Sequence, residues 1–171
     1  SAVDKLFALM LADDDAARAP LEVAWQAAQA RGDVAAQWLL AATAILAINI
    51  DCADFRGLQT WIDRFQAGER AAPVLQRQVD RQRVDCVRIV LPALDHRFAF
   101  DSDSVHASAQ RLLAALRDGQ WPAGDEFAQL AKALFIYHDL EYEPRAAERM
   151  AALATPGIAA ASVAWQARWW I

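Results

Sequence analysis

Residues 34–50, VAAQWLLAATAILAINI, form the most apolar stretch of the chain. Three polar residues, Gln37, Thr43 and Asn49, interrupt its 17 residues, whereas a membrane-spanning helix needs roughly 20 predominantly apolar residues. We therefore expect a helix that is buried on nearly all sides inside a protein core. The Gly32-Asp33 pair before it predicts a turn at which the preceding helix ends.

The composition of the rest of the chain also favours helices. Of the 171 residues, 56% are apolar and 23% are charged, which is typical of a folded globular protein. The chain has 40 alanines and only six glycines and six prolines. A β-sandwich or barrel needs β-branched runs and frequent turns, so this composition disfavours both and predicts an all-α fold.

Charge and cysteine content narrow the classes of protein further. The net charge is −5 and the pI is about 5.1, which disfavours nucleic-acid binding by this segment. Two cysteines, Cys52 and Cys86, are too few for a disulfide scaffold, and we expect both to be reduced. Residues 1–5, SAVDK, lack the pattern of a signal peptide. We therefore expect a cytoplasmic protein with no membrane contact.

Caps and helix-breaking residues predict eight helices. Asp13-Asp14-Asp15 and residues 101–104, DSDS, are typical N-terminal caps, because their oxygens accept the free amides of a first turn. Gly68 and residues 155–157, TPG, predict helix ends, Pro73 a helix start, and Pro92 a kink or an end. The predicted helices cover about 16–31, 34–50, 55–66, 73–91, 105–116, 125–138, 144–154 and 157–171.

An internal repeat relates the two halves of the sequence. Residues 32–37, GDVAAQ, align with residues 124–129, GDEFAQ, at an offset of 92. Residues 53–56, ADFR, align with residues 142–145, YEPR, at an offset of 89. An offset near 90 corresponds to two helical hairpins, and hairpins bury their apolar faces by stacking. We therefore predict a right-handed α-solenoid of about four antiparallel hairpins, forming a single helical-repeat domain over residues 1–171.

Several segments resemble a known family. The chain resembles the tetratricopeptide-like superhelical region of large bacterial signalling regulators, of the maltose-regulon activator type. The resemblance implies a sensor or interaction region without chemistry of its own, and it covers most of the chain as a pattern. The segments that carry it are PLEVAWQAA at 20–28, RGD at 31–33, DFRGL at 54–58, WID at 61–63 and WQARWW at 165–170.

Two groups of polar residues could carry chemistry. The first group could hold a metal, but its spacing matches no zinc or calcium loop, and its aspartates are explained as caps. The second could supply a general base, but it lies at a helix end, where histidine suits the dipole. We predict no catalytic residue, metal or cofactor, and no enzyme. The first group consists of Asp95, His96, Asp101, Asp103 and His106. The second group consists of His138, Asp139, Glu141 and Glu143.

A candidate interaction surface comes from arginines and tryptophans. Arg77, Arg81 and Arg88 could hold a phosphate or an acidic peptide, although interleaved aspartates at 80 and 85 favour internal ion pairs. Trp169 and Trp170 point about 100° apart on a helix, so one neighbour cannot bury both. An aromatic end of this kind indicates an interface, or a fragment cut from a longer solenoid.

These features favour an interaction scaffold for proteins or ligands, as the helical-repeat sensor region of a larger bacterial cytoplasmic signalling or transcription regulator. Its partner would be a protein, a peptide or the remaining domains of the parent chain. The alternative is a self-contained helical protein that homodimerises through its aromatic C-terminal helix. The third hypothesis is a small enzyme that uses a histidine and carboxylate cluster.

Overall fold

The computed structural model describes residues 1–51, 55–99, 101–140 and 144–169. Within these ranges every regular element is an α-helix and no strand is present, so the all-α prediction is confirmed. The helices are α1 (Ala2–Ala12), α2 (Asp14–Ala30), α3 (Val34–Asp51), α4 (Leu58–Ala71), α5 (Gln78–Leu94), α6 (Asp103–Arg117), α7 (Asp125–Leu140), α8 (Pro144–Ile158) and α9 (Val163–Trp169).

The chain divides into two compact units. The first unit is Ser1–Val84 and the second is Asp85–Ile171, so α5 begins in the first and ends in the second. In the first unit, α2 packs on α3 and α3 packs on α4, while α1 contacts α2 and α3. In the second unit, α7 packs on α6, α8 and α9. The single-domain interpretation of residues 1–171 stays a prediction.

Helix α3 is the centre of the first unit, as its apolar sequence predicts. The side chains from Trp38 to Ile48 are all buried, and the hydroxyl of Thr43 donates to the carbonyl of Leu39 at 2.8 Å. That hydrogen bond satisfies the one polar side chain in this run. None of the helices in the described ranges combines the length and the apolar character needed to cross a bilayer.

Helix α1 was not predicted from the sequence. Its N-terminus carries a capping box, in which the Asp4 amide donates to the Ser1 hydroxyl at 3.2 Å and the Asp4 carboxylate accepts from the Ser1 amine at 2.9 Å. Val3, Phe7 and Met10 lie on its buried face at helical spacing. The capping box and the apolar spacing can both be read from the sequence. The prediction of eight helices was therefore wrong in that it omitted α1.

Trp38 and Gly68 make a close contact between α3 and α4. A Cβ atom at Gly68 would lie 2.7 Å from Trp38 Cβ and would also overlap Cγ and Cδ1 of the indole. Gly68 is buried and follows Trp38 by 30 residues. Glycine at this position therefore lets the tryptophan lie directly on the helix backbone.

The second unit contains the same kind of contact between α7 and α8. A Cβ atom at Gly157 would lie 2.7 Å from Phe127 Cε2 and would also overlap Cζ and Cε1 of the ring. Gly157 follows Phe127 by 30 residues, and both positions are offset by 89 from their counterparts in the first unit. The aromatic and glycine positions thus keep the same spacing in the two hairpins.

The caps before these hairpins also correspond. Asp13 accepts from the Ala16 amide at 3.0 Å, and Ser102, 89 residues later, accepts from the Val105 amide at 3.4 Å. Gly32 and Gly124 precede α3 and α7, and both have positive φ angles, of 66° and 67°. An L-residue with a side chain is strained there, so glycine suits these turns.

Several predicted helix boundaries are wrong. Gly68 lies inside α4, which continues to Ala71, and Gly157 lies inside α8, which continues to Ile158. Helix α5 begins at Gln78 rather than at Pro73, and it passes through Pro92. Phe55, the first residue of the predicted helix 55–66, is 48% exposed and precedes α4. Asp54, whose carboxylate precedes the predicted helix 55–66 as an N-terminal cap, lies outside the described residues.

Candidate binding site

Arg77 and Arg81, the first two arginines of the predicted interaction surface, form their ion pairs and hydrogen bonds within the first unit. Arg77 donates to the Asp4 carboxylate at 2.7 and 2.8 Å and to Asp80 at 2.6 and 2.8 Å. Arg81 Nη1 donates to the backbone carbonyls of Leu75 and Gln76 at 2.6 and 3.0 Å. These bonds attach the start of α5 to α1 and to the segment before α5.

The ion pairs of this cluster shift the pKa values of its members. Arg77 lowers the pKa of the Asp4 carboxyl well below its ordinary value, and Asp4 in turn raises the pKa of Arg77. Arg83 adds an ion pair to Asp4 at 2.9 Å, and its guanidinium lies 4.0 Å from the centre of the Phe7 ring. The ion pairs therefore favour the ionised forms of Asp4 and Arg77, and they join α1 to the start of α5 within the first unit.

The third predicted arginine, Arg88, lies in the second unit and donates to Asp85 at 2.8 Å. Asp85 is 4% exposed and also accepts two hydrogen bonds from Arg111, at 2.6 and 2.9 Å, and one from Ser108, at 3.0 Å. The expected ion pairing along α5 is present, but Asp80 and Asp85 are buried rather than solvated.

Of the two tryptophans in the predicted interaction surface, Trp169 is half-buried, and its ring centre lies 5.9 Å from that of Phe135. Trp170 lies outside the described residues. Val163, on the same helix as Trp169, is 81% exposed. The role of these arginines and tryptophans as an interaction surface stays a prediction.

The histidine groups are dispersed in the structure. The His96 side chain is 97% exposed, while Asp95 pairs with Arg97, which lowers the pKa of Asp95 to about 2. His106 Nδ1 lies 2.5 Å from Tyr137 Oη, and His138 is buried beside Tyr137. No cluster of metal-binding side chains occurs within the described ranges, from which Glu141 and Glu143 are missing.

Cys86 has the properties of a packed thiol. Burial raises its pKa to about 12, and its sulfur lies 3.3 Å from Nε2 of Gln129. Since the thiolate is the reactive form of cysteine, this thiol is not a nucleophile at neutral pH. Cys86 is packed in the core, as predicted, and it is a free cysteine. Cys52 lies outside the described residues.

A pocket of about 90 Å³ lies in the first unit among α2, α3 and the start of α4. Its apolar lining comes from Leu21 on α2 and from Ala44, Ala47 and Ile48 on α3, which are all buried. The remaining lining residues are Arg18, Arg56 and Trp61. Arg56 is exposed, and Arg18 and Trp61 are half-buried.

A cation–π stack supports the Trp61 wall of this pocket. The Arg64 guanidinium lies 4.3 Å from the ring centre of Trp61 and 3.9 Å from that of Trp25. It also donates to both carboxylate oxygens of Glu22, at 2.6 and 2.9 Å. Arg64 lowers the pKa of Glu22, so the carboxylate that orients the stack stays charged at neutral pH.

The sequence did not predict this pocket. Its arginines are 38 residues apart, and the Glu22–Arg64 pair spans 42 residues, so no local spacing relates them. The helical spacing of Trp25 and Trp61 predicts that both lie in the core, but both are half-buried. The signal that could have identified them is their neighbourhood, because Trp25 follows Glu22 by three residues and Trp61 precedes Arg64 by three residues.

Comparison with protein-family models, curated proteins and solved structures finds no match to this chain. The chemistry of its function therefore has to be inferred from the residues of the two units.

Proposed function

We propose that the chain is a helical-repeat interaction scaffold with a tetratricopeptide-like solenoid arrangement. In this proposal it is the sensor region of a larger bacterial cytoplasmic signalling or transcription regulator. Its partner is a protein, a peptide, a ligand, or the remaining domains of the parent chain. It binds without chemical turnover.

The observation that carries the proposal is the recurrence of one hairpin design. Trp38 on Gly68 and Phe127 on Gly157 keep the same 30-residue spacing, at an offset of 89. Repeated hairpins with apolar faces stack into extended surfaces, and proteins of this class use such surfaces for binding. The aromatic residue follows the turn glycine by six residues in the first unit, Gly32 to Trp38, and by three in the second, Gly124 to Phe127. Three residues are close to one helical turn, so the aromatic side chain keeps the same helix face.

Affinity capture can test the proposal. The whole chain is used as bait against the protein fraction and the small-molecule fraction of a bacterial lysate, and bound species are identified by native mass spectrometry. We expect one partner at fixed stoichiometry, recovered chemically unchanged. A bound molecule that is converted to product would instead support the enzyme hypothesis. The matched bait Arg56→Glu changes an exposed pocket residue and leaves the core intact.

The alternative is homodimerisation through the C-terminal helix. It is favoured by the 81% exposure of Val163 and the 49% exposure of Leu153, two large apolar side chains in the second unit. Burying such side chains drives association. Light scattering of the wild type and of Val163→Glu at high concentration distinguishes the two. A dimer that Val163→Glu converts to a monomer supports self-association, whereas two monomers exclude it at this surface.

A further inference from the structure

We infer that the pocket of the first unit binds a small, flat, uncharged aromatic molecule, about the size of one phenol ring. This inference names a ligand class for the proposed sensor region and rests on that proposal for its biological role. The binding itself is a property of α2, α3 and the start of α4. It can therefore be tested separately from any protein partner.

The second unit carries larger side chains at the positions that correspond to the pocket wall. On α3 the pocket is lined in part by Ala47 and Ile48. The positions of α7 at the offset of 89 are Ile136 and Tyr137, which are both larger. The Tyr137 ring is buried, and its hydroxyl oxygen lies 2.5 Å from Nδ1 of His106 on α6. In the second unit an aromatic ring therefore stands at the helix position where the first unit has the smaller Ile48 beside a pocket.

The lining of the pocket favours a ligand without charge. Its buried part offers no polar side chain and comes from Leu21, Ala44, Ala47 and Ile48. A charged group among these residues would lose its hydration without replacing it, whereas a hydrocarbon ring gains from contact with them. Arg18 and Arg56 already interact with other groups of the chain, so neither offers an unpaired charge to an anion.

The Trp61 wall favours a ring over an alkyl chain. Arg64 stacks on Trp61, at 4.3 Å from its ring centre, and binds Glu22, which keeps the indole in place. Contact between two aromatic rings adds to the gain from buried area, by about two- to tenfold in affinity. A rigid ring also loses less conformational freedom on binding than a flexible chain does.

The volume of the pocket limits the ligand to one ring. A cavity of about 150 Å³ accommodates benzene, so a pocket of about 90 Å³ encloses more than half of such a ring. The pocket is partly open to solvent, so the remaining edge of the ring, with a hydroxyl group on it, can stay hydrated. A ligand of this size binds with a dissociation constant of about a millimolar.

Ligand-detected NMR titration of the full chain tests this inference, with phenol, cyclohexanol and benzoate as probes. We expect phenol to bind in the millimolar range, and cyclohexanol, which has a similar size but is not flat, to bind about fivefold more weakly. Benzoate is charged at neutral pH and should bind about tenfold more weakly than phenol or worse. Cyclohexanol or benzoate that binds as tightly as phenol would overturn the inference, and so would failure of phenol to bind.

Two tryptophan variants assign the binding to the pocket. Trp61→Met replaces the aromatic wall with the residue type that α8 carries at the offset of 89, and it should weaken phenol binding about fivefold. Trp169→Met changes a half-buried tryptophan of the second unit, and as the matched control it should leave phenol binding unchanged. Equal affinities of the two variants for phenol would overturn the assignment.

The double variant Ala47→Ile with Ile48→Tyr gives the first unit the side chains that the second unit has at these positions. We expect it to fill the pocket and abolish phenol binding, with circular dichroism as the check on folding. A folded double variant that still binds phenol would overturn the inference. Partner capture by a wild-type chain that does not bind phenol would refute this inference and leave the proposed function standing.

Discussion

The two units place an aromatic ring on a glycine in the same way, but the glycines meet different parts of the ring. Gly68 faces Cβ, Cγ and Cδ1, the root of the buried Trp38 side chain. Gly157 faces Cζ, Cε1 and Cε2, the tip of the half-buried Phe127 ring. A ring tip moves by side-chain rotation, whereas a side-chain root moves only with its backbone. The first hairpin is therefore the more tightly constrained of the two.

The units differ again in their ionic clusters. In the second unit Asp85 is buried and receives bonds from Arg88, Ser108 and Arg111. In the first unit the side chain of Asp4 is 32% exposed and pairs with Arg77, which is 44% exposed. Water screens an exposed pair, whereas removing one member of a buried cluster leaves its partners without a counter-charge, so loss of the acceptor should cost more in the second cluster.

The largest expected effect is that of Asp85→Ala. It removes the shared acceptor of three donors in a buried site, and we expect a loss of about 3 kcal/mol in the free energy of unfolding. Urea denaturation followed by circular dichroism measures it. The control is Asp4→Ala, which should cost about 1 kcal/mol because the Asp4 side chain is 32% exposed and Asp80 still pairs with Arg77 and Arg83. Equal losses would show that burial does not separate the two clusters.

The next effect is that of Gly68→Ala. Alanine normally stabilises a helix interior by about 1 kcal/mol relative to glycine, but here the new methyl overlaps the root of Trp38. We expect a net destabilisation of about 2 kcal/mol in urea denaturation. In a Trp38→Ala background the same change should become stabilising, because the overlap is gone. A loss that persists in that background would contradict the proposed contact.

Gly157→Ala should have a smaller effect. The methyl group meets the tip of the Phe127 ring, which can rotate away, and the gain in helix propensity offsets part of the cost. We expect a change of about 1 kcal/mol or less, measured as for Gly68→Ala. A loss as large as that of Gly68→Ala would mean that both hairpins are equally rigid.

The smallest effect concerns acid stability. Arg77 lowers the pKa of Asp4 in the folded chain, so its ion pairs contribute stability above the unfolded pKa of about 4. That contribution is lost as the pH falls below this value and the carboxyl takes up a proton on unfolding. We expect Asp4→Asn to be less stable than the wild type at pH 7 and to differ less from it at pH 3. Unfolding curves at both values provide the measurement, and a difference independent of pH would contradict this assignment.

The local sequence was sufficient to predict the helical class, the burial of α3 and the caps at Asp13 and Ser102. These features depend on residues within a few positions of one another, because helix propensity, spacing and capping act over one or two turns. The same local rules made Gly68 and Gly157 helix ends, and both lie inside helices, as does Pro92, for which a kink or an end is predicted. In the glycine cases an aromatic ring from another helix packs where a side chain would be.

The pocket and the ionic clusters were decided by tertiary packing. Arg77 and Asp4 are 73 residues apart, Arg64 and Glu22 are 42 apart, and the pocket combines residues from three helices. No local pattern specifies such partners, because each arginine has several carboxylates that it could reach in an unfolded chain. The choice among them was made when apolar burial brought the helices together, since that term is large and does not depend on which charges meet.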